Sequence, residues 1–382
     1  PPDKNSYYLP HKDVTLLNED GCTIKKMRPV FDASATCRNK LSLNAVIRDC
    51  PNNLPPISDL LMKFRCHEYG FCADIVGFYH QIELDDHSAK FVRFLWRNCS
   101  SSAPTVYEFR RNAFGEKAAG YRSIETVSFH ARKYLDLYPE EADLLLHRRF
   151  SDDLSYSTPS EEQLISVYLN TKMILEEGGF TISKIATNSA RLRAMIPAED
   201  LASLKVINDV KEDELPSAAL GLGWETVNDV LFYKNVDKII EYAKDLPPTK
   251  RSVLSLTPRV YDVLGLVHPF IAQAKLILRD AWMLKCNWDA ALPVVLEKQW
   301  RRWINQLPDL EKIRIKRNIL VSHDVQSADA AAACNLSIES FGDASDIMIG
   351  ACTYLRCELN AEVLVSLIGA GSRVKNMPAT CT

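Results

Sequence analysis

The chain has 382 residues, 47% of them hydrophobic and 25% charged, with a formal net charge of −3. This is the profile of a globular protein with room for two or three separate cores, and the mild negative balance argues against a chain that coats nucleic acid through bulk positive charge. No window offers about 18 uninterrupted apolar residues, the start Pro1-Pro2-Asp3-Lys4 lacks a signal-peptide layout, and the 11 cysteines are scattered without a C-x-x-C pair; a soluble, intracellular, cytoplasmic protein with reduced thiols and no membrane partner is expected.

Val30-Phe31-Asp32 reads as a strand, and the Pro-rich stretch at 51–56 breaks the chain before a helix at 57–66. Residues 71–76 form a buried strand carrying Asp74 near its end; 91–96 and 105–109 are further strands. A helix follows, with Ile124, Val127, Ala131 and Tyr134 on one face. The stretch 144–150 then runs into Ser151-Asp152-Asp153 and resumes at 154–157, a hairpin with two acids at its tip. Ser160-Glu161-Glu162-Gln163 is a capping box, Leu164, Val167, Tyr168, Ile174 and Leu175 make the helical stripe, and Gly178-Gly179 ends it before an edge strand at 180–182. The acid-rich stretch 197–218 reads as a connecting segment, and Gly221–Glu225 opens another hairpin. From 234 to about 320 the pattern is helical, with Trp282, Trp288, Trp300 and Trp303 as core or interface aromatics, and 336–374 returns to strands.

Charge is unevenly placed. Residues 91–134 hold eight Lys/Arg against three Asp/Glu and 250–285 hold six against two, whereas 136–177 hold ten acids against three bases. An acidic centre between basic flanks suits a metal site with phosphate-binding walls. Neighbouring residues on a regular strand face opposite ways, so Asp152 and Asp153 serve one site only at a turn. With Asp74 they supply the oxygen ligands that a pair of Mg²⁺ ions needs for phosphoryl transfer, with Mn²⁺ as a possible substitute. Such a turn also occurs as plain surface decoration.

The segment Ala73-Asp74-Ile75-Val76-Gly77-Phe78-Tyr79-His80-Gln81-Ile82 resembles the palm of retroelement reverse transcriptases. More narrowly, Tyr7-Tyr8-Leu9-Pro10-His11, Arg28-Pro29-Val30-Phe31-Asp32-Ala33-Ser34, Phe91–Trp96, Lys250–Ser255 and Asp262-Val263-Leu264-Gly265-Leu266 look like the Pol polyprotein of BEL/Pao retrotransposons. The resemblance covers nearly all the chain and implies an α+β right-hand polymerase: fingers and palm over 1–236, a helical thumb and connection over 237–330, and a truncated RNase H-like sheet over 331–382. It implies RNA-directed DNA synthesis on an RNA or DNA template with a primer, using deoxynucleotides, as part of a polyprotein with protease and integrase, within virus-like particles. The alternative is an inactive or domesticated fragment that keeps the fold and at most binds nucleic acid. An RNA-dependent RNA polymerase on the same palm is disfavoured by Tyr79.

By the same resemblance Asp74 and Asp152 bridge the metal ions and Asp153 contacts them less directly. Tyr79 lies beneath the incoming sugar and excludes a 2′-hydroxyl, while Lys26 and Arg28, with Lys25, hold the triphosphate or form an ordinary solvated hairpin. Phe114-Gly115 forms the loop beneath the nucleotide; here Glu116-Lys117-Ala118-Ala119 departs from the family's small residue and Pro, and Phe150-Ser151 replaces Tyr-Val before the acids. Leu222-Gly223-Trp224 resembles the hairpin that grips the primer end, with Trp224 as a packing surface or as core. Lys184 falls where relatives hold a lysine near the site. Asp343 is the first metal-binding acid of the RNase H-like part, which is not expected to cut RNA.

Overall fold

The computed structural model describes residues 7–18, 22–36, 40–97, 103–202, 218–320, 335–359 and 362–375. Strands β1 (His11–Leu17) and β2 (Ile24–Phe31) pair antiparallel. Helix α1 (Leu43–Val46) is capped by Ser42, whose hydroxyl accepts from Ala45 N, and α2 (Ile57–Phe64) buries Leu60, Leu61 and Phe64. Strand β3 (Tyr69–Ile75) precedes α3 (Asp86–Ala89), and β4 (Arg93–Trp96) pairs with β5 (Thr105–Glu108). Next come α4 (Ala119–Ala131), α5 (Pro139–His147), the hairpin β6 (Arg149–Phe150) and β7 (Asp153–Thr158), α6 (Glu161–Glu177), β8 (Ile182–Thr187) and α7 (Ala190–Met195). Strands β9 (Ala218–Ala219), β10 (Leu222–Glu225) and β11 (Val230–Phe232) lead into α8 (Val236–Lys244), α9 (Lys250–Leu256), α10 (His268–Met283) and α11 (Val294–Asn305). The last strands are β12 (Ile315–Lys316), β13 (Asn335–Ala344), β14 (Met348–Leu359) and β15 (Glu362–Val374).

Among the described residues the sheets are β1-β2, β4-β5, β6-β7-β3-β8, β12-β11-β10-β9 and β13-β14-β15, a mixed α/β architecture. The chain divides into two compact units, one of Pro1–Pro55, Asp74–Leu154 and Ser166–Ser183, the other of Pro56–Ala73, Ser155–Ile165 and Lys184–Thr382.

One expectation about local structure is corrected. The apolar stretch at 144–150 was expected as a hairpin arm, but Leu144–His147 close helix α5 and only Arg149–Phe150 are strand. Pro139 at the first turn, Glu140 and Glu141 beside the helix N-terminus, and Leu144 and Leu145 buried on one side are helix-starting and helix-packing signals that outweigh the short apolar run. The next helix ends as its glycines require: Gly179 has φ +77°, Phe180 N donates to Leu175 O at 2.8 Å and Gly179 N to Glu176 O at 3.0 Å, a Schellman closure. At its start Gln163 N donates to Ser160 Oγ at 3.3 Å, as a capping box requires.

In the first unit the core gathers Leu9, Phe31, Ala33, Leu43 and Val92, with Phe94 and Phe109 packed on it. Edge-to-face rings tie Phe31 to Phe94 and Phe109 at centroid distances of 5.2 and 4.8 Å. In the second unit Trp300 and Trp303 stack in the core, and Phe270 stacks on Trp303 at 4.7 Å. Trp282 and Trp288 instead remain 44% and 36% exposed, with the Lys250 ammonium 4.0 and 4.7 Å from their rings.

Arg317, also in the second unit, is wholly buried. It donates to Phe64 O at 2.6 Å, His67 O at 2.8 Å, Glu68 O, and both oxygens of Asp229 at 2.6 and 2.9 Å. Helix α10 packs on β15, yet Leu336 and Ile338 are 48% and 70% exposed, so the final sheet is covered in part. The expectation of reduced thiols fails at Cys357, which is disulfide-bonded, while Cys22, Cys50, Cys66, Cys72, Cys286 and Cys352 keep their thiols reduced. Spacing in sequence cannot reveal which sulfurs the fold brings to bonding distance. Among the described residues no helix is long and apolar enough to cross a membrane.

Candidate active site

Strand β3 is buried at Phe71, Cys72, Ala73 and Ile75, the near-continuous apolar run of a strand covered on both faces, and Asp74 is its half-buried exception. The strand stops at once: Val76–His80 form a turn in which Gly77 takes φ +58°. Opposite, the hairpin pairs Phe150 with Asp153, leaving Ser151 and Asp152 at its tip, with Ser151 at φ +58°. Ile75 N donates to Asp152 O at 2.9 Å. That bond sets the backbone of Asp152 beside the residue that follows Asp74, so the two acids come from adjacent chain segments at the strand end.

All three acids are half-buried. Their oxygens are the hard donors that Mg²⁺ prefers, and in this respect the residues fit the ion. The structure brings the backbones of two of the three acids near each other. Among the described residues no group of three or more His, Cys, Asp or Glu is gathered to hold a metal ion, so Asp74 and Asp152 are neighbours through their backbones rather than a closed ligand set.

Arg149, a residue that sequence reasoning passed over, lies directly behind the turn. It is 3% exposed, and burial pulls its guanidinium down to about 10, against the pull of Glu125 in the other direction. The Arg148-Arg149 pair standing just before the two acids was the available signal.

Tyr79 is half-buried, its ring edge-on to that of Phe78 at 5.6 Å, and a Cβ at Gly120 would lie 3.8 Å from its hydroxyl. Its phenol end therefore faces the start of α4. Phe114 packs against His80 at 5.4 Å. Gly115, at φ +97°, tolerates no side chain, because a Cβ there would meet Phe31 O at 2.3 Å. Asn44 holds this loop from both sides, donating to Gly115 O at 3.2 Å and accepting from Lys117 N at 2.8 Å. The departing sequence after Gly115 is an ordered, ion-paired turn: Glu116 pairs with Arg122, Lys117 with Asp49, and Arg122 also donates to Asn112 Oδ1 at 2.9 Å.

Lys26 and Arg28 sit on β2 with backbones opposite Leu16 and Val14. Their side chains, and that of Lys25, lie outside the described residues. In the second unit Leu222, Gly223 and Trp224 are all buried. Trp224 packs edge-on to Phe64 at 5.0 Å and donates from Nε1 to Asp229 at 2.8 Å, so its ring is core, and a Cβ at Gly223 would strike the Phe232 ring. Lys184 is exposed on β8 in a left-handed conformation, φ +51°. Asp343 is exposed on β13, accepts from Ala344 N at 2.8 Å, and lines a cavity of about 490 Å³ with His268, Phe341, Cys352 and Ser372. It is the only carboxylate among the described residues lining that cavity.

Residues 249–382 match the family model of the Pao retrotransposon-like RNaseH-like domain. No curated protein matches the chain. Among solved structures, the foamy viral protease-reverse transcriptase dRH in complex with double-stranded DNA is similar at a TM-score of 0.56 and 12% identity, over 97% of this chain and 52% of that one. The foamy viral protease-reverse transcriptase in complex with RNA/DNA hybrid is similar at 0.53 and 12% identity, over 97% of this chain and 40% of the other. The chain thus spans about half or less of the structures it resembles. Residues 249–382 thus match the Pao retrotransposon-like RNaseH-like family model over about a third of the chain, and the chain shares its fold with the two protease-reverse transcriptase structures.

Proposed function

We propose that this chain is an RNA-directed DNA polymerase core, with fingers and palm over 1–236, a helical thumb and connection over 237–330 and the start of an RNase H-like sheet beyond. The observation that supports the reading is the bond from Ile75 N to Asp152 O, which joins the backbone segments bearing Asp74 and Asp152 at a strand end of a reverse-transcriptase-like fold. Asp74 and Asp152 would hold divalent ions, with Asp153 in a lesser role. Bound there, Mg²⁺ would lower the pKa of a primer 3′-hydroxyl and stabilise the departing pyrophosphate.

The chain's own residues do the rest. The Asn44 clamp on the Gly115 loop, with Phe114 beside it, keeps a rigid wall where a base pair must be formed. The ring of Tyr79, braced by Phe78, fills the space that a ribose 2′-hydroxyl needs, which favours deoxynucleotides. Lys26 and Arg28 would pair with the triphosphate. Template and primer are RNA or DNA, in keeping with the double-stranded DNA and RNA/DNA hybrid held by the two similar structures.

Primer extension on an RNA template with Mg²⁺ and deoxynucleotides tests the proposal. The parent chain extends the primer, and Asp152→Asn abolishes extension while circular dichroism and template affinity stay unchanged, because a half-exposed acid is lost and no core packing. Extension by Asp152→Asn at the parental rate would refute it.

A further inference from the structure

A buried cation stands behind the acidic turn, and nothing in the reaction as drawn uses it. Arg149 donates from Nε to Leu145 O at 2.6 Å, from Nη2 to Ile124 O at 2.7 Å and Ser128 Oγ at 3.1 Å, and from Nη1 to Ser151 O at 2.8 Å. The ring of Phe78, one residue before Tyr79, lies 6.0 Å from its Cζ. One guanidinium thus joins the end of α5, the middle of α4 and the turn that carries Asp152. Leu145 O is among the last four carbonyls of α5, which have no partner within the helix, so Arg149 satisfies a group that the fold leaves open.

The bond to Ser151 matters most. Ser151 is a non-glycine residue in the left-handed region, φ +58°, a conformation that persists only where the surroundings enforce it. Its carbonyl begins the peptide that leads into Asp152. With that carbonyl fixed to a side chain anchored on two helices, the direction of the Asp152 backbone is set from behind, just as the bond from Ile75 N sets it from the front. A planar fork reaching acceptors in several directions is what arginine supplies and lysine, a single ammonium on a flexible stem, does not.

We propose that Arg149 is a positioning residue for the acidic turn, holding the Ser151–Asp152 peptide so that Asp152 presents its carboxylate beside Asp74. The inference rests on the polymerase reading of the same site and extends it to a residue that touches neither substrate nor ion.

The test measures binding of Mn²⁺ alone to the purified chain, followed by the electron paramagnetic resonance of the free ion, together with thermal melting. Asp152→Asn loses the bound ion. Arg149→Lys keeps the charge but not the fork, and it weakens Mn²⁺ binding about 10- to 100-fold, the usual cost of removing a group that orients a metal ligand. In primer extension it lowers kcat without changing the deoxynucleotide KM.

Where Arg149→Lys does not fold, Ser128→Ala removes one anchor of the guanidinium and gives a smaller loss in the same direction, about 2- to 10-fold. Parental Mn²⁺ affinity in whichever variant folds, while Asp152→Asn has lost the ion, overturns the inference alone. Equal Mn²⁺ binding by the parent and Asp152→Asn overturns the metal-site reading and this inference with it.

Discussion

Replacing Arg317 by Met should be among the most damaging single changes in the second unit. The side chain is 0% exposed, and it donates to Phe64 O, His67 O, Glu68 O and both oxygens of Asp229, with its Cζ 4.9 Å from the Phe64 ring and 5.4 Å from the Trp224 ring. Met fills a similar volume, so the loss is polar rather than a cavity. Glu68 O keeps a bond from Asn188 Nδ2 at 2.7 Å, but Phe64 O and His67 O lose the guanidinium, and a carbonyl left without a donor and away from water costs about 1–3 kcal/mol. Asp229 suffers less, because it is 23% exposed and keeps the Trp224 Nε1–H.

Breaking a buried ion pair from one side costs about 3–5 kcal/mol, and we expect that loss here. Against a typical stability of about 5–15 kcal/mol this leaves a marginal or unfolded unit. Arg301→Met is the control: Arg301 makes an exposed pair with Glu297 one helical turn away, worth about 0.3–0.5 kcal/mol. Urea unfolding followed by circular dichroism and by tryptophan fluorescence reads both variants. A midpoint for Arg317→Met that corresponds to less than about 1 kcal/mol would mean that the freed carbonyls find water, and would refute the assignment of Arg317 as the anchor between α2 and the β10–β11 hairpin.

Tyr79→Ala should let ribonucleotides compete better with deoxynucleotides in primer extension, because loss of a ring braced on Phe78 opens room for a 2′-hydroxyl; unchanged sugar preference would return Tyr79 to ordinary packing. The chain should not cut the RNA strand of an RNA–DNA hybrid with Mg²⁺ or Mn²⁺, since Asp343 meets no second carboxylate among the described residues lining its cavity and two-metal hydrolysis needs several; cleavage that disappears in Asp343→Asn would show that ligands come from elsewhere.

Much of the candidate site was legible because local chemistry is written in short spacings. The apolar run ending at Asp74, the two acids at a tight turn, and the glycine pair closing α6 need only strand alternation and helix-end rules, and the structure has β3, the Ser151–Asp152 tip and the Schellman closure at those places. The boundary between α5 and β6 was not legible, since a three-residue apolar run suits a strand or a helix equally and burial of Leu144 and Leu145 decides between them.

The amino-acid sequence alone determined which residue types stand where: three acids near two turns, an aromatic after the first, and basic flanks on either side. Only the tertiary structure decided which of them meet. It placed Asp152 against the end of β3, took Trp224 into the core with Phe64 and Arg317, and revealed Arg149 and Arg317 as buried hubs. The physical reason is that a guanidinium reaches backbone carbonyls from segments far apart in the chain, 249 to 253 residues for Arg317, and no periodicity in a sequence encodes the partner of a backbone carbonyl.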